Sequence, residues 1–193
     1  LPPPSRHVRH RTPPLPEGLP RVTSPAAAPD LQIRPLRADD DAEVAAVAAL
    51  LADAYRDMGH FDANPAYEES VVDVAGRAQR DTVLVAVRGD DVVGTATVAS
   101  AHSGTAELAT GDETELRYVG VRLDVQGGGI ATALVAAAED AARSLGSPRM
   151  VISVISWNTK AARLYEQLGY LRDDARTWWP VPTVELVVST KEL

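Results

Sequence analysis

The chain contains no cysteine. That excludes a disulfide framework, a thiolate nucleophile and any cysteine-ligated metal. It also has no apolar run approaching the ~18 residues that a membrane-spanning helix requires, so no membrane partner is expected. Positive charge is in short supply, with 19 Lys and Arg against 27 Asp and Glu and a net charge of −8. A chain of this sign should not seek nucleic acid or anionic lipid, whereas a cationic partner such as an amine would be attracted to it. What is present is ordinary. Of 193 residues, 45% are hydrophobic and 24% charged, which suits one globular domain. Absence of cysteine is compatible with a reducing, cytoplasmic location, and that location is expected.

Nine of the chain's 14 prolines fall within residues 1–30, a stretch without hydrophobic periodicity. A disordered or polyproline II tail is expected there. It has no continuous apolar core of the kind a secretory leader carries. His7 and His10 lack companion ligands, and no metal site is expected. The folded domain is placed at 31–193.

From Leu31 to Leu36 the sequence reads as an edge strand, since it carries Pro35. Asp39, Asp40 and Asp41 then precede an alanine-rich run to Tyr55, as helix-capping acids do. Val44, Val47, Leu50, Leu51 and Ala54 share one face of that helix. A break at 59–65 is followed by a second expected helix, 65–80. Thr82–Val87 and Val92–Ala99 around Gly89-Asp90-Asp91 form a hairpin signal. Residues 100–112 read as a loop and 115–121 as a fourth strand. A helix over 130–145 has an apolar stripe of Ile130, Leu134, Val135, Ala138, Ala141, Ala142 and Leu145. The apolar run 150–155 suits a central strand covered on both faces. Asn158 is placed to cap a short helix ending near Gly169, and strands near 170–171 and over 184–189 complete the chain.

The stretch around which this order turns is Val119-Gly120-Val121, then Gln126-Gly127-Gly128-Gly129-Ile130-Ala131. It reads as strand, anion-binding turn and helix, with glycines leaving backbone N–H groups open to a phosphate. A Walker A loop is excluded because no Gly-Lys-Ser/Thr follows, and a dinucleotide fingerprint fails at Thr132. A plain glycine linker between strand and helix would account for the same residues.

Two further stretches narrow this. Asn158-Thr159-Lys160-Ala161-Ala162-Arg163-Leu164-Tyr165-Glu166-Gln167-Leu168-Gly169-Tyr170 is similar to the segment Asn-x-x-Ala-x-x-Leu-Tyr-x-x-x-Gly-Phe/Tyr of the GNAT superfamily of N-acetyltransferases. Glu115–Val121 resembles that family's fourth strand, and the glycine loop resembles its acetyl-CoA pyrophosphate loop. Leu123 departs from the family, which often has Pro there, and Gln126 stands where Arg is commoner. The resemblance implies an α/β fold with a mixed sheet of about seven strands flanked by four helices. It implies acetyl-CoA as cosubstrate, held by the strand backbone at Val119, Gly120 and Val121. Its pyrophosphate would sit on Gln126, Gly127, Gly128, Gly129, Ile130 and Ala131, with Thr132 and Asn158 nearby, and no metal is implied. It also implies direct attack by an amine on the thioester, with Glu115 or an ordered water as base and Tyr165 as acid. For Glu115 the competing account is an exposed strand acid paired with Arg117, and for Tyr165 a packed aromatic of its helix. The acceptor, a small-molecule or peptide amine, would lie by the first helices and the last hairpin, near His60, Phe61, Asp62, Trp178 and Trp179. A homodimer through the C-terminal strands is one assembly the resemblance allows, and an acyl-CoA sensor or interaction module without turnover is the alternative function.

Overall fold

The computed structural model describes residues 30–193, so the tail expected at 1–30 lies, but for Asp30, outside the described residues. The elements run β1 (Leu31–Pro35), α1 (Asp41–Asp57), α2 (His60–Ala63), α3 (Tyr67–Val72), α4 (Val74–Ala78), β2 (Thr82–Arg88), β3 (Asp91–Ser100), β4 (Thr114–Val121), α5 (Ile130–Ser144), β5 (Arg149–Ile155), α6 (Thr159–Gln167), β6 (Leu171–Arg172), β7 (Trp178–Val181) and β8 (Val184–Glu192). The strands form one sheet in the order β1-β2-β3-β4-β5-β8-β6, with β7 also paired to β8. Its one parallel pairing is β4 with β5. The mixed α/β class is as expected, with eight strands where about seven were anticipated.

Side-chain alternation builds two cores on the two faces of this sheet. Along β2, Leu84 and Ala86 face one way and Val85 and Val87 the other. Helix α5 covers the first face through Ile130, Leu134, Val135, Ala138 and Ala142. Helices α1, α3 and α4 cover the second through Val47, Leu51, Ala54, Val71 and Val74. Gly94 lets α5 come close to β3, because a Cβ there would stand 2.9 Å from a Leu134 methyl and 3.0 Å from one of Ile130. The start of α5 is thereby pressed against the strands that flank the glycine loop.

Several local expectations are corrected. The helix expected over 65–80 is two short ones, because the Asp73 carboxylate accepts from the Gly76 N–H at 2.9 Å and restarts the chain as a new N-cap. Residues 60–63 form a helical turn where only a break was expected. Leu145, assigned to the buried stripe, is 59% exposed, since α5 ends at Ser144. Strand β7 was not anticipated, and β8 runs three residues beyond its expected end at Ser189. Val44 is only half-buried, while Glu43 beside it points inward.

Glu43 is held by the guanidinium of Arg34 at 2.6 Å, and Arg37 binds it with its backbone N–H at 2.8 Å and its guanidinium at 2.7 Å. Those partners, Arg34 first, outweigh burial and bring the carboxyl down to about 2. A depressed folded value stabilises the protein above the unfolded carboxyl's ordinary range and ceases to do so as pH falls through the folded value. Glu43→Gln is expected to cost about 2 kcal/mol at pH 7, a figure reduced for the exposure of the two arginines. The corresponding loss in Tm is about 4–8 °C. Thermal melts of both proteins should show that gap closing as pH falls from about 5 toward about 2.

Candidate active site

The site begins where β4 and β5 stop pairing. Their register covers Thr114–Leu116 against Met150–Ile152 and goes no further. Yet β4 continues to Val121 and β5 to Ile155, leaving facing strand edges without each other as partners. The cause lies in β4. Gly120 pairs with Thr95 and Arg117 with Thr97, so β4 carries one residue more than β3 across this interval. The bulge puts Tyr118 at φ 51°, a left-handed conformation that non-glycine residues adopt only at a cost. It also inverts the alternation. Leu116 faces α5 before the bulge, whereas Tyr118 joins the α1 side after it. Gly120 lies on the α1 side too, where a Cβ would stand 3.0 Å from methyls of Leu50 and Leu51.

Tyr118 is secured from several directions. Its hydroxyl shares a 2.7 Å hydrogen bond with Ser70, and the Arg77 guanidinium lies 3.9 Å from its ring centre. Arg77 is itself 2% exposed and donates to the carbonyls of Ser70 and Val71. The strained residue is thus surrounded by contacts that over-determine it, as a persistent bulge requires.

Between the parted strands opens a cavity of about 710 Å³. One wall is Val119, Gly120 and Val121, and the other is Ser153, Val154 and Ile155. At one end lies the glycine loop. Gly127 and Gly129 have φ of 84° and 76°, and Gly129 is the N-cap of α5 without any side-chain cap. Outside the regular elements, no backbone hydrogen bond among the described residues is donated by Gln126 through Thr132. The loop therefore presents free N–H groups at a helix N-terminus, the arrangement that receives a phosphate. Lys160 stands over it, its ammonium donating to Gln126 Oε1 at 2.8 Å, and Arg163 adds a second cation to the cavity wall. An elongated ligand with an anionic middle and amide-bearing arm fits these donors, and acetyl-CoA has both.

Of the residues expected to hold cofactor, Val119, Gly120, Val121, Gln126, Gly127, Gly129, Ile130, Ala131, Thr132 and Asn158 line this cavity. Gly128 does not, although it is exposed on the same loop. Ile130 has its side chain in the core and offers only its backbone. Asn158 caps α6, accepting from the Ala161 N–H at 3.1 Å, and its amide also reaches the Met58 sulfur.

Tyr165 lines the cavity from α6 and is 7% exposed, with Tyr170 edge-on behind it. No group among the described residues hydrogen-bonds its hydroxyl. Burial raises its pKa well above the ordinary tyrosine value, so the phenol stays protonated at neutral pH.

Glu115 is placed differently from the expectation. It is fully buried and is no part of the cavity wall. Its Oε2 accepts the N–H groups of Glu107, Leu108 and Ala109 at 2.8, 2.7 and 3.2 Å. Its Oε1 lies 3.7 Å from the Arg117 guanidinium and accepts no hydrogen bond among the described residues, so the competing account is right in the pairing with Arg117 and wrong in the exposure. The carboxylate that does face the cavity is Glu107, paired with Arg117 at 3.0 Å.

The far end of the cavity carries Tyr55, Tyr67, Tyr118, His60 and Asn64. Burial lowers the His60 pKa to about 4, so its ring is neutral at pH 7. Phe61 is packed into the core, Asp62 is exposed, and Trp178 and Trp179 stay out of the wall, so of the aromatic and acidic residues expected there His60 alone contributes. Lys160 and Arg163 sit inside the Asn158–Tyr170 segment and were within reach of sequence reading. Glu107 was not, because it stands in a polar loop with no motif around it. Among the described residues no group of three or more His, Cys, Asp or Glu side chains is arranged for a metal ion.

A splayed parallel strand pair, a bulged fourth strand and a glycine loop opening a helix together frame one cavity of this α/β fold. Residues 44–170 match the Acetyltransferase (GNAT) family, and the chain belongs to it. It is 34% identical over 159 residues to a mycothiol acetyltransferase of Acidothermus cellulolyticus. That match takes in 79% of this chain and 47% of the relative, so the chain spans about half the length of that curated relative. Its fold resembles the paiA N-acetyltransferase of Thermoplasma acidophilum in complex with coenzyme A, with a TM-score of 0.65, 14% identity and coverage of 84% of this chain and 99% of that one. It also resembles yncA of Salmonella typhimurium, whose structure holds acetyl-CoA as its cofactor, with a TM-score of 0.62, 22% identity and coverage of 85% and 94%.

Proposed function

We propose that this chain transfers an acetyl group from acetyl-CoA to an amine by direct attack. The observation that carries this reading is the coincidence, in one cavity, of unpaired strand edges, a free-donor glycine loop and a protonated tyrosine. When bound, acetyl-CoA supplies the activated thioester. The β4 edge at Val119 to Val121 orients the pantetheine arm, and backbone N–H groups there are the donors for the charge that develops on the thioester oxygen. The loop from Gln126 to Thr132, with Lys160, holds the diphosphate. Tyr165 gives its proton to the departing thiolate, an undemanding step because a thiol's pKa is about 8.5. With Glu115 withdrawn from the cavity, the proton of the attacking amine leaves through ordered water.

The acceptor class is a small-molecule or peptide amine. A chain that binds acyl-CoA without turnover is the second reading, favoured to the extent that the expected carboxylate base is sequestered. An amine panel with acetyl-CoA, followed by release of free thiol, separates the two. Transfer predicts thiol release with at least one amine, whereas binding with no release across the panel supports the sensor.

A further inference from the structure

The loop between β3 and β4 has no apolar core of its own. Its order comes from buried charge. Glu115 draws three consecutive N–H groups, those of residues 107 to 109, onto one oxygen. Arg117, 9% exposed, donates to the Thr105 carbonyl, and Arg176 donates to the Leu108 carbonyl while pairing with Glu113 at 3.0 Å. Burying such groups is expensive unless they are paired, and these contacts hold the segment in one conformation although Glu115 Oε1 and the Thr105 hydroxyl make no hydrogen bond among the described residues. What the segment delivers to the cavity is Glu107.

Glu107 has the features of a ligand-facing carboxylate. Its side chain is 41% exposed at the cavity wall, and its one ion pair among the described residues, to Arg117, uses Oε1. The charge around it does not cancel. Arg117 is shared between Glu107 and Glu115, at 3.0 and 3.7 Å, so two carboxylates face one guanidinium. The other nearby guanidinium, Arg77, is engaged with Tyr118 and two carbonyls and is absent from the cavity wall. Tyr67, which lies within reach of the Glu107 charge, is neutral at pH 7, as are Tyr55 and His60 on the same wall, whose other cations are Lys160, engaged with Gln126, and Arg163. A carboxylate beside aromatic faces suits an organic cation.

We propose that Glu107 receives a cationic group of the acceptor and so selects amines bearing a second positive charge, and that Glu115 is the residue that positions it. The assignment rests on the acetyl-transfer reading only in calling this ligand the acceptor. It is tested by titrating linear diamines and ω-amino acids of equal length into the full chain saturated with CoA. Diamines should bind about tenfold or more tightly than the amino acids, and Glu107→Gln should weaken diamine binding by ~10–100-fold. Glu107→Lys should reverse the preference. Acetyl-CoA affinity should stay within about twofold in both variants, because Glu107 makes no hydrogen bond or ion pair with residues 126 to 132 or Lys160 among the described residues. Glu115→Gln should lower Tm and also erode the diamine preference. A purely structural Glu115 would lower Tm and leave the preference intact, which would overturn its positioning role. Undiminished diamine binding in Glu107→Gln would overturn the assignment itself. Because binding is read apart from turnover, absence of thiol release with every amine would count against acetyl transfer, while Glu107-dependent diamine binding would still uphold the assignment.

Discussion

Gly129→Val is expected to weaken acetyl-CoA binding by about 100-fold while leaving the fold in place. A Cβ at Gly129 meets nothing of the protein within 4 Å, so the folded chain has room for the new side chain. The space it fills is that in front of the free N–H groups at the start of α5. The backbone there has φ 76°, which costs a β-branched residue roughly 1–2 kcal/mol. Among the described residues, 126 to 132 donate no backbone hydrogen bond outside the regular elements and Gly129 has no side-chain cap, so the unliganded loop is expected to relax and the cost to fall on the bound state. Added to the methyls that now face the diphosphate, it comes to about 3 kcal/mol, or about two powers of ten in Kd. Calorimetric titration checks the affinity and a thermal melt checks the fold. A Kd within about threefold of the parent would place the diphosphate elsewhere.

Tyr165→Phe is the second large effect, and it should appear in kcat. The lost hydroxyl has no hydrogen-bond partner among the described residues, so stability should change by less than ~0.5 kcal/mol. The ring contact with Tyr170, with centroids 5.6 Å apart, is retained by phenylalanine. What disappears is the proton for the leaving thiolate. A general acid typically contributes 10²–10⁴-fold, and the low basicity of a thiolate puts this one near the bottom of that range, at about 10²-fold. KM for acetyl-CoA should be nearly unchanged. Burial raises the phenol's pKa, so the acid form persists as pH rises and the parent's kcat should show no loss of this acid below about pH 9.5. An unaltered kcat in Tyr165→Phe would leave the residue as a packed aromatic only.

These two effects fall on parts of the site that were plain in the sequence. Glycine clusters, an N-cap asparagine and a tyrosine within a helical repeat are local signals, and the structure puts them where local reasoning does. Most strands were legible along the chain for the same reason, since each is bounded by its own turn residues. The failures share a different cause. Asp73 breaks a helix by a side-chain hydrogen bond that competes with the helical pattern without altering it. Glu115 is buried and Glu107 left at the cavity wall because the backbone of residues 107 to 109 folds back to donate three N–H groups to Glu115. Strand β7 contains Pro180 and pairs only at Trp178 and Val181, leaving no regular alternation to read. Neither the bulge nor the loop that Glu115 gathers has a sequence period, so no inspection of residues 100–121 could have separated the two acids.

The most direct measurement is calorimetric titration of acetyl-CoA into the parent chain and into Gly129→Val. The account predicts one site per chain with a Kd in the range of about 1 μM to 1 mM, lost by about 100-fold in the variant. No detectable binding to the parent, or equal binding to both proteins, would contradict it.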